Sequence, residues 1–95
     1  QFVAIAALAA AKGVATIPHA TIGVGIFMAA SLHASATLPR CPYHEYQHSV
    51  LDRNLQYVDT TMRCERGYFT VPEGPGLGIA PNASVWQFLR PKVKS

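Results

Sequence analysis

Gly13-Val14-Ala15-Thr16-Ile17-Pro18-His19 is the stretch on which the reading of the fold turns. Val14 to Ile17 is a short, mostly apolar run ending in two adjacent β-branched residues, opened by a glycine and stopped by a proline. Such a run fits a strand buried on both faces, as in a parallel sheet, and it places His19 at the strand's C-terminal end. Upstream, Phe2, Ile5, Ala6 and Ala9 fall at i, i+3, i+4 and i+7 among strong helix formers, and Gly13 stands where a C-terminal cap belongs. Downstream, Thr21 can cap a second helix running to about Leu38, closed by Pro39. Its small residues Gly23, Gly25, Ala29, Ala30, Ser31 and Ala34 permit close packing. Cys41 to Tyr46 reads as a second short strand. Helix, strand, helix, strand with short connections is the signature of parallel βα units. A right-handed crossover sets the C-terminal ends of both strands on one side, so that His19 and Glu45 face one pocket.

Beyond residue 46 the character changes. Gln47 to Asn54 is polar and loop-like. Tyr57 to Thr61 and Tyr68 to Val71 flank Arg66-Gly67 as a hairpin. Pro72-Glu73-Gly74-Pro75-Gly76-Leu77-Gly78 is too rich in proline and glycine for regular structure and must be a shaped loop. A last helix spans Ser84 to Leu89 with Trp86 and Leu89 on one side, before Pro91 and a basic tail. The organisation is thus residues 1–46 as βα units and 47–95 as a return segment, without internal repeats.

With 95 residues, the chain has room for one small domain. Its 49% apolar and 14% charged residues make it globular and poorer in charge than the usual soluble surface. A formal charge of +3 is spread over eight Lys and Arg, the densest being Arg90, Lys92 and Lys94. This forms no nucleic-acid stripe. Lys12, Pro18, His19 and His33 interrupt the apolar first third before it reaches the roughly 18 residues of a membrane span. Cys41 and Cys64 make neither a disulfide framework nor a CxxC site, which points to reduced thiols and a cytoplasmic location. Gln1 is not a start methionine and no basic leader follows it, so the chain is expected to begin mid-protein. Asn82-Ala83-Ser84 spells a glycosylation sequon, meaningful only for a secreted protein.

Two stretches carry a family resemblance. The first is Ile17-Pro18-His19, then Ala29-Ala30-Ser31-Leu32-His33, then Leu38-Pro39-Arg40-Cys41-Pro42-Tyr43-His44-Glu45-Tyr46. The second is Gly67-Tyr68-Phe69-Thr70-Val71-Pro72-Glu73-Gly74-Pro75-Gly76-Leu77-Gly78-Ile79. In order and spacing, across nearly the whole chain, they resemble the C-terminal quarter of the mandelate racemase subgroup of the enolase superfamily. The resemblance implies an α/β fold, the C-terminal part of a (β/α) TIM-type barrel comprising its last two strands and intervening helix, followed by a hairpin and loop segment. It implies that His19 is the general acid or base after the seventh strand, paired with an aspartate of the sixth. The chemistry suits imidazole, because a proton α to a carboxylate is weakly acidic and a group titrating near neutrality can take or return it. Glu45 resembles the glutamate that hydrogen-bonds the substrate carboxylate or enolate, a role that neighbouring charge and burial can support by holding it protonated. His33 is read as a packing or surface residue.

The family's Mg²⁺ ligands and second base lie outside these residues, since a full barrel takes about 250. The complete enzyme is therefore expected to act with Mg²⁺ on a small-molecule acid sugar or 2-hydroxy acid, as a homo-oligomer, and this chain alone to be inactive. Dehydration is preferred to racemisation only as the commoner activity in the group.

Two readings compete. His44-Glu45-Tyr46-Gln47-His48 is a literal HExxH, in which two histidines one helical turn apart would bind zinc and the glutamate would activate water. That pattern needs a helix, which Pro42 and the two tyrosines oppose; a third ligand would have to be Glu65, Asp59 or Cys64. The other reading is a non-catalytic structural or interaction module, suggested by the low charge. Isolated, both helices would expose apolar faces.

Overall fold

The alanine-rich run Phe2–Ala11 forms helix α1, and Gly13 beyond its end takes a left-handed φ of 75°, as the capping pattern predicts. The computed structural model describes residues 1–20 and 23–89. α1 has no polar face, yet within it only Ala6 is buried, and Phe2, Ile5 and Leu8 are exposed. A helix apolar all round ordinarily lies inside a protein, so most of its surface is left uncovered by this chain.

Residues 14–18 and 41–47 form neither helix nor ladder, so neither expected strand, Val14 to Ile17 or Cys41 to Tyr46, is a regular one. Two backbone bonds join the segments: Thr16 N–H to the Arg40 carbonyl at 2.8 Å, and Glu45 N–H to the Pro18 carbonyl at 3.1 Å. The contacts advance in the same direction along both segments, which therefore lie parallel. A parallel ladder continuing from the first bond would next need the amides of residues 42 and 18. Both are prolines and have no N–H. Val14 and Ile17 are exposed, against the expected burial on both faces.

The second helix is shorter than the spacing predicts. α2 spans Ile26–Ser35, and Thr21, the expected cap, lies outside the described residues. Gly23 and Gly25 adopt φ of 92° and 100°, which cannot continue a right-handed helix. Glycine at position 25 also lets the chain approach the sheet: a Cβ there would stand 3.3 Å from Ile79 Cδ1. Met28, Ala29, Leu32 and Ser35 form the buried face of α2.

Gln47 to Asn54, expected as a loop, is mostly helix α3, His48–Leu55. Its polar residues conceal Leu51 and Leu55, one turn apart. Leu51 joins Met28, Ala29, Leu32 and Met62 in the core, and Leu55, Phe69 and Ile79 pack against them. The core thus draws on both sides of residue 46.

The hairpin turns at Arg66-Gly67, with φ of 52° and 80°, the mirror-image turn that suits two twisted strands. Its arms are β2, Arg63–Glu65, and β3, Tyr68–Thr70, with Cys64 opposite Phe69. Tyr57 to Thr61, expected as the first arm, instead contains β1, Val58–Thr60, which pairs antiparallel with β4, Ile79–Pro81. A two-residue turn closes only on the residues flanking it, so Thr61 lies too far upstream. Pro72–Gly78 is the irregular loop expected. His33 on α2 straps it, its Nε2–H donating to the Leu77 carbonyl at 3.0 Å.

α4 is a short turn of helix, Ala83–Trp86. The Asn82 side chain accepts the Ser84 N–H at 2.9 Å and donates to the Gln56 carbonyl at 2.9 Å. The sequon asparagine is therefore occupied as a helix cap. Val85 is the buried residue here, while Trp86 and Leu89, expected to share a side, are both exposed. Pro91 and the basic residues Arg90, Lys92 and Lys94 lie outside the described residues.

Gly78 closes the loop tightly: its φ is 68°, its N–H bonds the Pro75 carbonyl at 3.0 Å, and a Cβ would fall 2.6 Å from the Glu73 carbonyl oxygen. Gly78→Ala is expected to lower stability by more than the ~1–2 kcal/mol of left-handed strain alone, as measured by chemical denaturation. An unchanged midpoint would contradict this account of the loop.

Candidate active site

The Glu45 amide is bonded to the Pro18 carbonyl, one residue before His19. That bond brings the two side chains together, and His19 Nδ1–H donates to Glu45 Oε2. A carboxylate can only accept, so Nδ1 carries the proton, and in the neutral ring Nε2 keeps its lone pair. Gln47 donates to the other carboxylate oxygen at 3.3 Å. The two residues expected to face one pocket are thus hydrogen-bonded to each other instead, and in the open: the side chains are 65% and 37% exposed. A cavity of about 620 Å³ lies elsewhere, bordered by Leu32, Tyr43, His44, Tyr46 and Phe69, and neither His19 nor Glu45 lines it.

The hydrogen bond from His19 holds the Glu45 carboxyl below its ordinary value; partial desolvation opposes this, and Gln47 and the charges of His19 and His44 add to the lowering. In this chain the hydrogen bond outweighs desolvation, which favours the carboxylate over the protonated form that the sequence reading allows. Glu45 is ionised and serves as an acceptor.

The zinc reading fails on geometry. α3 starts at His48, so residues 44–47 lie outside any helix and the two histidines do not share a helix face. His44 is engaged on both ring nitrogens: Nδ1 with the Glu45 carbonyl at 2.9 Å, Nε2 with Ser31 Oγ at 2.8 Å. Glu45 points to His19, and the His48 ring packs edge-on to Tyr46 at 6.3 Å between centroids. Of the possible third ligands, burial pushes the Cys64 thiol up, which keeps its proton on. Among the described residues, no three His, Cys, Asp or Glu side chains, Asp59 and Glu65 included, are grouped to hold a metal. Cys41 and Cys64 are both free thiols.

Two contacts at the site were not anticipated from the sequence. Ser31 was read as a small packing residue, and its bond to His44 has no signature in spacing. Gln47 was assigned to a loop, and only the turn into α3 brings its amide back to Glu45.

The sequence profile of the enolase C-terminal domain-like family matches residues 1–85. Among solved structures, the chain is similar to a Sinorhizobium meliloti protein provisionally named an isomerase, one of whose structures is in an open-loop conformation. The identity is 46%, covering 95% of this chain and 24% of that one, with a TM-score of 0.88. It is also similar to a member of the enolase superfamily from Agrobacterium tumefaciens, at 48% identity over 90% of this chain and 22% of that one, with a TM-score of 0.85. No curated protein matches the sequence. The class defined is an α/β fragment carrying an exposed His–Glu pair at the ends of two parallel segments. The chain belongs to the enolase C-terminal domain-like family. It spans 24% and 22% of the length of these solved relatives, about a quarter.

The Glu45 carboxyl is expected to titrate below the ordinary glutamate value, followed by carbon-13 NMR, and His19→Ala should move the midpoint up. The sign follows from the lowered value: the pair stabilises the fold above the ordinary glutamate range, and that contribution is lost as pH falls through the lowered midpoint. A midpoint unaffected by His19→Ala would show that the bond does not persist in solution.

Proposed function

We propose that this chain supplies half of the proton-transfer site of a metal-dependent enolase superfamily enzyme acting at the carbon α to a carboxylate. The reaction proposed is dehydration of a sugar acid. The observation that carries this reading is the hydrogen bond between His19 and Glu45 at the ends of two parallel segments. With Nδ1–H held, the ring offers Nε2, which has no protein partner among the described residues, as the base for an α-proton. Ionised Glu45 stabilises the imidazolium that forms. In this state it orients His19 and would repel a substrate carboxylate; to hydrogen-bond one, it must first take up a proton.

The proposal includes a (β/α) barrel of which residues 1–46 are the last units, supported by the parallel segments and by relatives about four times as long, of which this chain covers 24%. The exposed face of α1 is accounted for by the remainder of such a barrel, as is the low charge that suggests a non-catalytic module. Enolase superfamily members generally use Mg²⁺. The side chains described here do not fit that ion, since no ligand set is grouped among them. In this proposal its ligands belong to residues outside the chain, and the role of His19 is derived without it. The free thiols accord with a cytoplasmic enzyme; among the described residues no helix is long and apolar enough to cross a membrane.

Racemisation of a 2-hydroxy acid is a second reading, favoured by the provisional name of the S. meliloti relative. Both reactions begin with loss of the α-proton, so one experiment tests what they share. In the complete protein, His19→Asn is expected to reduce turnover and α-proton exchange with deuterium oxide by at least about 10²-fold, with metal binding unchanged by calorimetry. Exchange at the unsubstituted rate would remove the assignment.

A further inference from the structure

We infer that His44 is a positioning residue that sets Glu45 against His19. Its ring is tied at three points. Nδ1 meets the carbonyl oxygen of Glu45 at 2.9 Å, and because a carbonyl only accepts, Nδ1 carries the proton. In the neutral ring Nε2 is then the acceptor, and the Ser31 hydroxyl of α2 donates to it at 2.8 Å. The ring also stands edge-on to Phe69 of β3, with centroids 5.5 Å apart. Ser31 is itself fixed, its carbonyl accepting the Ser35 hydroxyl at 2.6 Å.

The consequence is felt at the next residue. Glu45 has its amide held by the Pro18 carbonyl and its own carbonyl held by His44, so its backbone is gripped from both sides. What remains free is rotation of the side chain, which the bonds from His19 and Gln47 restrict. The bond from His44 to the backbone of its neighbour also sends the two side chains apart: His44 turns into the packing between α2 and the hairpin, Glu45 toward His19. The first histidine of the HExxH sequence thereby has a use unrelated to metal. Any effect on turnover rests on the proton-transfer role proposed for His19; the tether itself does not.

The test uses the complete protein, labelled with carbon-13 at glutamate carboxyls, and compares His44→Phe with His44→Asn. Phenylalanine keeps a ring against Phe69 and removes both hydrogen bonds. Asparagine retains an N–H where Nδ1–H stood. Both lack the imidazole charge, so the comparison isolates the hydrogen bond. The Glu45 midpoint is expected to rise in His44→Phe toward its value in His19→Ala, to stay nearer the unsubstituted protein in His44→Asn, and to respond less to His44→Phe in the His19→Ala background, where only the direct effect of the His44 charge is left to lose. Equal midpoints in the two His44 variants, or an undiminished shift in that background, would overturn the inference. Should His44→Phe fail to fold, Ser31→Ala removes only the hydroxyl behind the ring. A smaller rise supports the tether and an unmoved midpoint refutes it. If α-proton exchange is present, it should fall at least about tenfold in His44→Phe and recover in His44→Asn. A protein without exchange would defeat the proposed function while the titration still decides the tether.

Discussion

Two backbone hydrogen bonds, Thr16 N–H to Arg40 and Glu45 N–H to Pro18, are the constraint on which the site depends. They are few because Pro18 and Pro42 withdraw the two amides that a regular parallel ladder would use next. The two bonds are one residue out of step with each other, since a ladder continuing from the first would bring the amide of residue 44, not 45, to Pro18, and that slip sets which side chains meet. In the register observed, the residue after Pro18 is His19 and its neighbour across the gap is Glu45. The proline that interrupts the ladder therefore also marks where the reactive pair begins.

The rest of the chain holds that pair from behind. The face of α2 that carries Met28, Ala29 and Leu32 packs on Leu51 and Met62, and the adjoining Ser31 reaches His44. His33, two residues further along α2, reaches the Pro72–Gly78 loop. One ten-residue helix thus links the parallel segments, the hairpin and the loop. Because the site is open to solvent, desolvation does not prevail in its electrostatics. The depressed Glu45 carboxyl owes its state first to a hydrogen bond, which makes it sensitive to geometry and so to the packing that sets that geometry.

The legible parts of the sequence were those governed by local rules. The helix at Phe2–Ala11, the turn at Arg66-Gly67 and the irregular Pro72–Gly78 loop each follow from propensity, left-handed φ or missing donors. That His19 and Glu45 lie on one side was legible, because two βα units leave their strand ends together; the hydrogen bond between them was not. The start of α2 is not legible in the sequence, because Gly23 and Gly25 suit close helix packing as well as a turn, and it is their positive φ that delays the helix to Ile26. α3 was hidden by its polar residues, although Leu51 and Leu55 mark its buried stripe. The hairpin partner was misplaced because 58–60, with β-branched Val58 and Thr60, and the equally short 63–65 compete, and only long-range pairing with Ile79–Pro81 decides between them. The protonation of Glu45 could not be read, since it turns on whether burial or a hydrogen bond wins.

Amide hydrogen exchange at Thr16 and Glu45 tests the central claim most directly, because it reads the two bonds that align His19 with Glu45. Both amides are expected to exchange markedly more slowly than those of the exposed loop around Gly76. A Glu45 amide exchanging as fast as that loop would mean that the two segments are not held in this register, and the paired histidine and carboxylate would lose their structural basis.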